Sequence, residues 1–224
     1  MKYYSTNLKA EKVNFGTALL KGLADDGGLY MPETFPVFSP DELEALKAMD
    51  YPGIAYAVLH KFLADEIPAD ELRRLVDDAY DFAVPLEPVD GRRFVMRLDQ
   101  GPTASFKDFA ARMMGRLMQH YLKKENRRLL ILTATSGDTG SAIANAFYGL
   151  DNIEVVVLFP TTEVTARQRK QMTTLGRNIR VLSLDGKFDD CQALVKMAFN
   201  DRELDHLELS SANSINIGRL LPQA

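Results

Sequence analysis

Several features that would announce a function are missing from this chain. It has one cysteine, Cys191, in 224 residues, so no intrachain disulfide is available. Leu194, Val195 and Ala198 share a helical face with it, and a thiol on such a face reads as a buried, small hydrophobe. The histidines, His60, His120 and His206, are scattered and show no metal-ligand spacing, which argues against a zinc site. Neither sign of charge dominates. With 27 basic and 31 acidic side chains the net charge is −4, and nothing points to nucleic acid or an acidic membrane surface. No apolar run approaches the roughly 20 residues of a membrane span. The first residues, Met1 to Thr6, lack the apolar core of a signal peptide, so cytoplasmic residence is the default. No internal repeat or low-complexity segment is present.

The composition is that of an ordinary globular protein, 46% hydrophobic and 26% charged. Its patterning changes near residue 90. Before that point the chain reads as a mostly helical N-terminal domain, residues 1–90. Ser39 caps a helix that opens at Pro40. Residues 54–63 and 70–79 carry helical periodicity, with Leu72, Leu75, Val76 and Ala79 on one face. Pro85 and Pro88 then break the chain.

Residues 91–224 alternate instead. Strands are expected at 94–98, 129–134, 154–159, 179–184 and 207–209. Helices are expected at 106–122, 139–148, 166–175 and 189–199. The runs Leu129 to Leu132 and Val155 to Leu158 lack polar alternation, as in strands buried on both faces. The fold class that follows is α/β, a parallel sheet with helices on both faces, built from right-handed βαβ units. Residues 214–221 look like the start of a helix that Pro222-Gln223-Ala224 cuts off. The chain therefore reads as a fragment, incomplete at its C-terminus.

Two turns carry the chemistry. Gly101-Pro102-Thr103-Ala104-Ser105-Phe106-Lys107-Asp108 leads into an amphipathic helix whose stripe is Phe106, Phe109, Ala110, Met113, Met114, Leu117, Met118 and Tyr121. Ser105 and Asp108 resemble an acidic capping box, which places Lys107 in the first turn and off the stripe. A lysine is electrostatically disfavoured there, so its presence suggests a role. The second turn, Thr135-Ser136-Gly137-Asp138-Thr139-Gly140, joins a buried strand to a helix. Free N–H groups at a helix start bind anions, and glycine admits a ligand close to the backbone. Alone, each turn is equally well explained as plain structure. Together, at the carboxyl edge of one parallel sheet, a lysine and an anion cradle are the parts needed to hold pyridoxal phosphate and a substrate on it.

At these residues the chain resembles the threonine synthase family, pyridoxal-phosphate enzymes of the tryptophan-synthase-β fold type. Gly22-Leu23-Ala24-Asp25-Asp26-Gly27-Gly28-Leu29-Tyr30-Met31-Pro32 is similar to the family's N-terminal signature. Gly101 to Phe109 resembles its Schiff-base segment, Leu132 to Gly140 its substrate and cofactor loop, and Ser211 to Asn216 a later motif. The resemblance implies O-phospho-L-homoserine as substrate and L-threonine and phosphate as products. It implies that Lys107 bonds to the cofactor and shuttles protons. Phe106, Ser136, Gly137, Asp138, Thr139 and Gly140 would contact the cofactor, with Asp138 where broader relatives carry an asparagine near the phenolic oxygen. Thr103, Thr135, Ser136, Asn213, Ser214 and Asn216 would line the substrate pocket, the last three on the phosphate side or as helix caps. No metal is implied.

Two departures stand out. Asp99-Gln100 occupies the place where many relatives have a histidine. The family's Gly-Asn-rich loop for the cofactor phosphate normally lies beyond residue 224, so weak cofactor binding and no turnover are expected of this chain alone. Two alternatives stay open: another lyase of the same fold type, such as a dehydratase or phospho-lyase, and a non-catalytic α/β ligand-binding module.

Overall fold

The computed structural model describes residues 1–223. Strand β1 (Tyr3–Ser5) and β2 (Tyr30–Pro32) form a short antiparallel ribbon, with helix α1 (Phe15–Lys21) between them in sequence. The carboxylate of Asp26 fastens this ribbon. It accepts hydrogen bonds from Ser5 Oγ at 2.5 Å, from the amides of Lys9 and Ala10 at 2.9 Å each, and from Gly28 N at 3.0 Å. A side chain on Gly28 would collide with Ser5 Oγ. The Asp-Asp-Gly-Gly signature is thus a structural clasp.

Helices α2 (Pro40–Leu46), α3 (Tyr51–Leu63) and α4 (Ala69–Ala79) follow. Ser39 accepts from Glu42 N, and the Glu42 side chain accepts from Ser39 N, a reciprocal box of the kind whose loss costs ~1 kcal/mol. Leu59, Leu63, Leu72 and Val76 are buried, and each such side chain contributes roughly 1.5–3 kcal/mol relative to exposure.

The segment expected to start the sheet does something else. Strand β3 (Leu86–Asp90) pairs antiparallel with β4 (Arg93–Met96) in a separate two-stranded hairpin. The cause is local. Asp90 pairs with Arg93, so the two-residue loop is Gly91-Arg92; glycine at the first loop position suits a tight hairpin turn, and Gly91 adopts φ 54°. The turn folds residues 86–96 back on themselves, leaving Phe94, Val95 and Met96 exposed.

The remaining elements form the α/β layer. They are α5 (Lys107–Glu125), β5 (Leu129–Ala134), α6 (Asp138–Phe147), β6 (Ile153–Pro160), α7 (Ala166–Thr173), β7 (Ile179–Leu184), α8 (Phe188–Asn200), β8 (Leu209–Ser210) and α9 (Ile217–Leu220). The four strands are parallel in the order β7-β6-β5-β8. The last strand lies two residues later than its expected start, because Arg202–Leu207 coil into a 3-10 turn. The chain steps outward from β5 to β6 to β7 and then crosses back to β8 on the other side of β5. With right-handed crossovers, α6 and α7 cover one face and α8 the other. The crevice between the carboxyl ends of β5 and β8 is the topological switch point, where open α/β sheets bind ligands.

Helix α5 is more buried than a one-sided stripe predicts. Phe106, expected to open the stripe, is 50% exposed and precedes the helix; from Phe109 on the stripe is buried, and so are Ala111 and Arg112, because the N-terminal helices cover the outer flank. Arg112 Nε donates to Ala79 O at 2.6 Å and Nη2 to Asp78 O at 3.0 Å, satisfying the last carbonyls of α4. A Cβ on Gly16 of α1 would lie 2.5 Å from the Tyr121 ring of α5. Cys191 is fully buried as expected, and burial pushes its thiol pKa up; Leu194, on its supposed face, is 40% exposed. Among the described residues no helix is long and apolar enough to cross a membrane.

Candidate active site

Helices α5 and α6 run side by side in the same direction, because each is antiparallel to β5. Their register is fixed at Gly115, where a Cβ would sit 3.2 Å from Ala146 O, and by Arg116 Nη1, which donates to Ala146 O at 2.8 Å. Gly115 is eight residues into α5 and Ala146 eight into α6. At ~1.5 Å of rise per residue, the two N-termini, Lys107 and Asp138, therefore end level with each other. Packed helices stand ~8–10 Å apart. The amine-bearing turn and the cradle thus share the carboxyl edge of the sheet, although the residues before Lys107 come from the hairpin and not from a sheet strand.

The cradle is organised by Thr135. Its buried Oγ1 accepts from Gly137 N at 2.9 Å and from Gly140 N at 2.8 Å. Those bonds leave the amides of Asp138 and Thr139, the first two of α6, without a protein acceptor among the described residues. They point where an anion is favoured by the helix terminus. Gly137 has φ 141°, a conformation side chains rarely adopt. Ser136 is exposed and Thr139 half-buried. Gly140 is pressed against Thr135 and the Met172 sulfur.

Around Lys107 the expected cap is replaced by a different device. The residue before α5 is Phe106, with no side-chain cap, and Ser105 Oγ makes only a long bond, 3.3 Å, from Lys107 N. Asp108, 1% exposed, reaches back instead to Thr103, accepting from its N at 2.8 Å and its Oγ1 at 2.6 Å. A Cβ on Gly101 would come within 2.6 Å of this carboxylate. Between them Ala104 sits in the left-handed region, φ 54°, at a cost of ~1–2 kcal/mol. The loop is held in an unfavourable shape by a buried carboxylate. The outcome is a half-buried Lys107 whose amine lies 4.5 Å from the centroid of the Phe106 ring, with no carboxylate in ion-pair range among the described residues. Asp99, in the histidine position, is engaged by Arg97 at 2.7–2.8 Å. That bidentate contact holds its carboxyl well below the usual range.

The motif after β8 divides. Asn216 is buried and fully engaged: Nδ2 donates to Leu19 O at 2.9 Å and Oδ1 accepts from Gly218 N at 2.8 Å, capping α9. Asn213 and Ser214 are exposed, and Asn213 Oδ1 accepts from Ser214 N at 2.7 Å. Asn213 and Asn216 border an open groove of about 370 Å³ that also includes Lys21 and Lys196; Lys107 and residues 136–140 do not line it.

Two residues that the sequence reading passed over matter here. Arg219 is 3% exposed, with Nη1 donating to Ala212 O at 2.9 Å and Nε without a partner. No carboxylate faces it among the described residues, and burial lowers its pKa. Gln168 of α7 donates through Nε2 to Asp138 Oδ1 at 2.7 Å. The first gave a signal in retrospect, an arginine three residues after a buried cap in an otherwise apolar helix. The second gave none, because its partner lies 30 residues away.

Comparisons with known proteins agree with this geometry. Residues 2–80 match the family described as threonine synthase N terminus, and residues 84–217 match the family described as pyridoxal-phosphate dependent enzyme. Threonine synthases from Buchnera aphidicola subsp. Acyrthosiphon pisum and from Escherichia coli K12 are 45% and 43% identical over the whole chain, which covers 52% of each. A pyridoxal-phosphate-bound threonine synthase from Brucella melitensis superposes with a TM-score of 0.95 at 46% identity, over all of this chain and 50% of that one. The yeast threonine synthase gives 0.90 at 31% identity, over 99% of this chain and 48% of that one. The chain spans about half the length of the relatives it matches.

Proposed function

The chain belongs to the pyridoxal-phosphate-dependent enzymes, with a threonine synthase N-terminal region preceding that part, and on that premise we propose that the protein, at full family length, converts O-phospho-L-homoserine and water to L-threonine and phosphate. A cytoplasmic location goes with this biosynthetic role. We place the division of the chain ahead of the β3–β4 hairpin, which a boundary at residue 90 would cut; the two family matches, one ending at residue 80 and the other starting at residue 84, support that earlier boundary.

The observation that carries the proposal is the level pairing of two helix starts. One offers an amine without an ion-pair partner, and the other offers two amides without acceptors. The amine fits the aldehyde of pyridoxal phosphate, and the free amides fit the carboxylate of a substrate carried on it; the cofactor when bound would supply an electron sink for negative charge developing next to the substrate nitrogen. Lys107 holds the cofactor through its amine and then moves protons at Cα and Cβ of the substrate. Phe106 flanks that amine. Asp138 would stand beside the ring's phenolic oxygen, as the family resemblance implies. The amides of Asp138 and Thr139, with Ser136, receive the substrate carboxylate, and Gly137 and Gly140 let it approach. Thr135 and Thr103 act by shaping their loops, since their hydroxyls are engaged within them.

The substrate phosphate is assigned to Arg219 with Ser214, while Asn213, which borders the separate groove, shapes the turn by accepting from Ser214 N. A buried guanidinium without a counter-ion is costly, and an arriving phosphate removes that cost. Asn216 serves this corner by capping the helix that carries Arg219. Loss of phosphate from Cγ and addition of water at Cβ balance the overall reaction.

The test is to supply full-length protein and pyridoxal phosphate with O-phospho-L-homoserine and to measure phosphate and L-threonine together. Equimolar release supports the assignment. Keto-acid formation from L-serine or L-threonine without phosphate release overturns it in favour of a dehydratase.

A further inference from the structure

We propose that Gln168 is a positioning residue that fixes the carboxylate of Asp138 toward the cofactor, a role that rests on the cofactor site proposed above. Gln168 is the third residue of α7 and belongs to a different βα unit from Asp138. Its Oε1 accepts from Thr165 N at 3.1 Å and from Thr165 Oγ1 at 2.8 Å, which closes the capping box of α7. That leaves one amide group, Nε2, and it points to Asp138 Oδ1 at 2.7 Å. The side-chain amide lies flat against Gly137: a Cβ there would come within 2.5 Å of Gln168 Cδ. The glycine of the turn is thus required twice, by its own φ of 141° and by the glutamine resting on it. Ser141 Oγ, one turn into α6, also leans toward the Gln168 carbonyl at 3.4 Å.

The consequence is directional. An aspartate at the first position of α6 rotates freely unless one oxygen is held. With Oδ1 held by Gln168, Oδ2 is left to face the ligand, and the amide donor moderates the negative charge beside the cofactor's phenolic oxygen. The start of α7 becomes a second wall of the cradle.

Gln168→Glu separates this role from folding. Glutamate serves in a capping box as well as glutamine, and an acidic side chain in the first turn suits the helix dipole, so α7 keeps its cap and the thermal midpoint falls by no more than the loss of one exposed contact brings. The donor to Asp138 is lost and replaced by a like charge. In the full-length protein we expect pyridoxal phosphate binding about tenfold weaker, as for loss of a charge-assisted bond, and a displaced visible absorption band. Asp138→Asn combined with Gln168→Glu exchanges donor and acceptor and restores the bond, returning the band and the affinity toward wild type. A Gln168→Glu protein with wild-type band and affinity overturns this inference while leaving the proposed function standing. A wild-type protein with no band on adding pyridoxal phosphate overturns the cofactor reading and this inference with it.

Discussion

Gly115 of α5 stands against the Ala146 carbonyl of α6, and this one contact sets the level at which Lys107 and Asp138 emerge. Neither glycine nor carbonyl is part of any recognisable motif. Their closeness is nevertheless what turns two separate helix starts into one site.

Widening that contact should loosen the site from a distance. Gly115→Val places its branches against Ala146 O and the Leu150 methyl, 3.1 Å from a Cβ. Overpacking of this kind costs roughly 1–3 kcal/mol. The expected result, read by thermal melting and by titration with pyridoxal phosphate in the full-length protein, is a lower Tm together with weaker cofactor binding.

Lys107→Ala should separate chemistry from folding. The side chain has no ion-pair partner among the described residues, so stability should change by less than ~0.5 kcal/mol, as at ordinary surface positions. Phosphate release from O-phospho-L-homoserine and the visible band with pyridoxal phosphate should both vanish. Retained turnover would show that Lys107 does not carry the chemistry and would overturn its assignment.

Arg219→Leu should weaken binding without a matching loss of stability. Removing a buried charge that no carboxylate neutralises among the described residues relieves its desolvation cost, while the Ala212 carbonyl loses its donor, so stability should hold or change little. Losing a charge-assisted contact to phosphate costs about 1.5–3 kcal/mol, so KM for O-phospho-L-homoserine should rise ten- to a hundredfold. A lower Tm with unchanged KM would make Arg219 a packing residue only.

The clasp at Asp26 predicts a pH dependence. Its hydrogen bond from Ser5, assisted by backbone amides, lowers its pKa from 3.8 to about 2. A carboxylate depressed in the folded state stabilises above its unfolded pKa, and that contribution is lost as pH falls from near 3.8 through about 2. Asp26→Asn should therefore melt lower than wild type at neutral pH. The gap should close in acid over that window, as followed by circular dichroism.

The sequence carried much of this fold because its signals were local. The unbroken apolar run Leu129 to Leu132 announced a buried parallel strand, and Ser39 with Pro40 and Glu42 announced a helix start. What escaped was decided by competition or by distance. Phe94 to Met96 has strand character, and the tight turn at Gly91-Arg92 decided which strand it pairs with. Asp108 lies three residues from Ser105, yet it bonds to Thr103, because the left-handed Ala104 bends the loop around it. Asn216, open in the sequence between a phosphate-side contact and a helix cap, caps α9 and is tied to α1 at a separation of 197 residues, which only the fold could decide. Arg219 gave its signal only once Asn216 was seen to be a buried cap, because burial is not written in a residue's name.

The β3–β4 hairpin has a practical consequence. Both strands are exposed along their length, and Leu86, Val89, Phe94, Val95 and Met96 all face solvent. Outside its one pairing, each strand offers its outer row of amides and carbonyls to any passing chain, the arrangement that seeds strand addition and aggregation. Concentrated solutions of this chain should gather into β-rich assemblies through residues 86–96, and a lysine at Val89 or Phe94 should be enough to keep them clear.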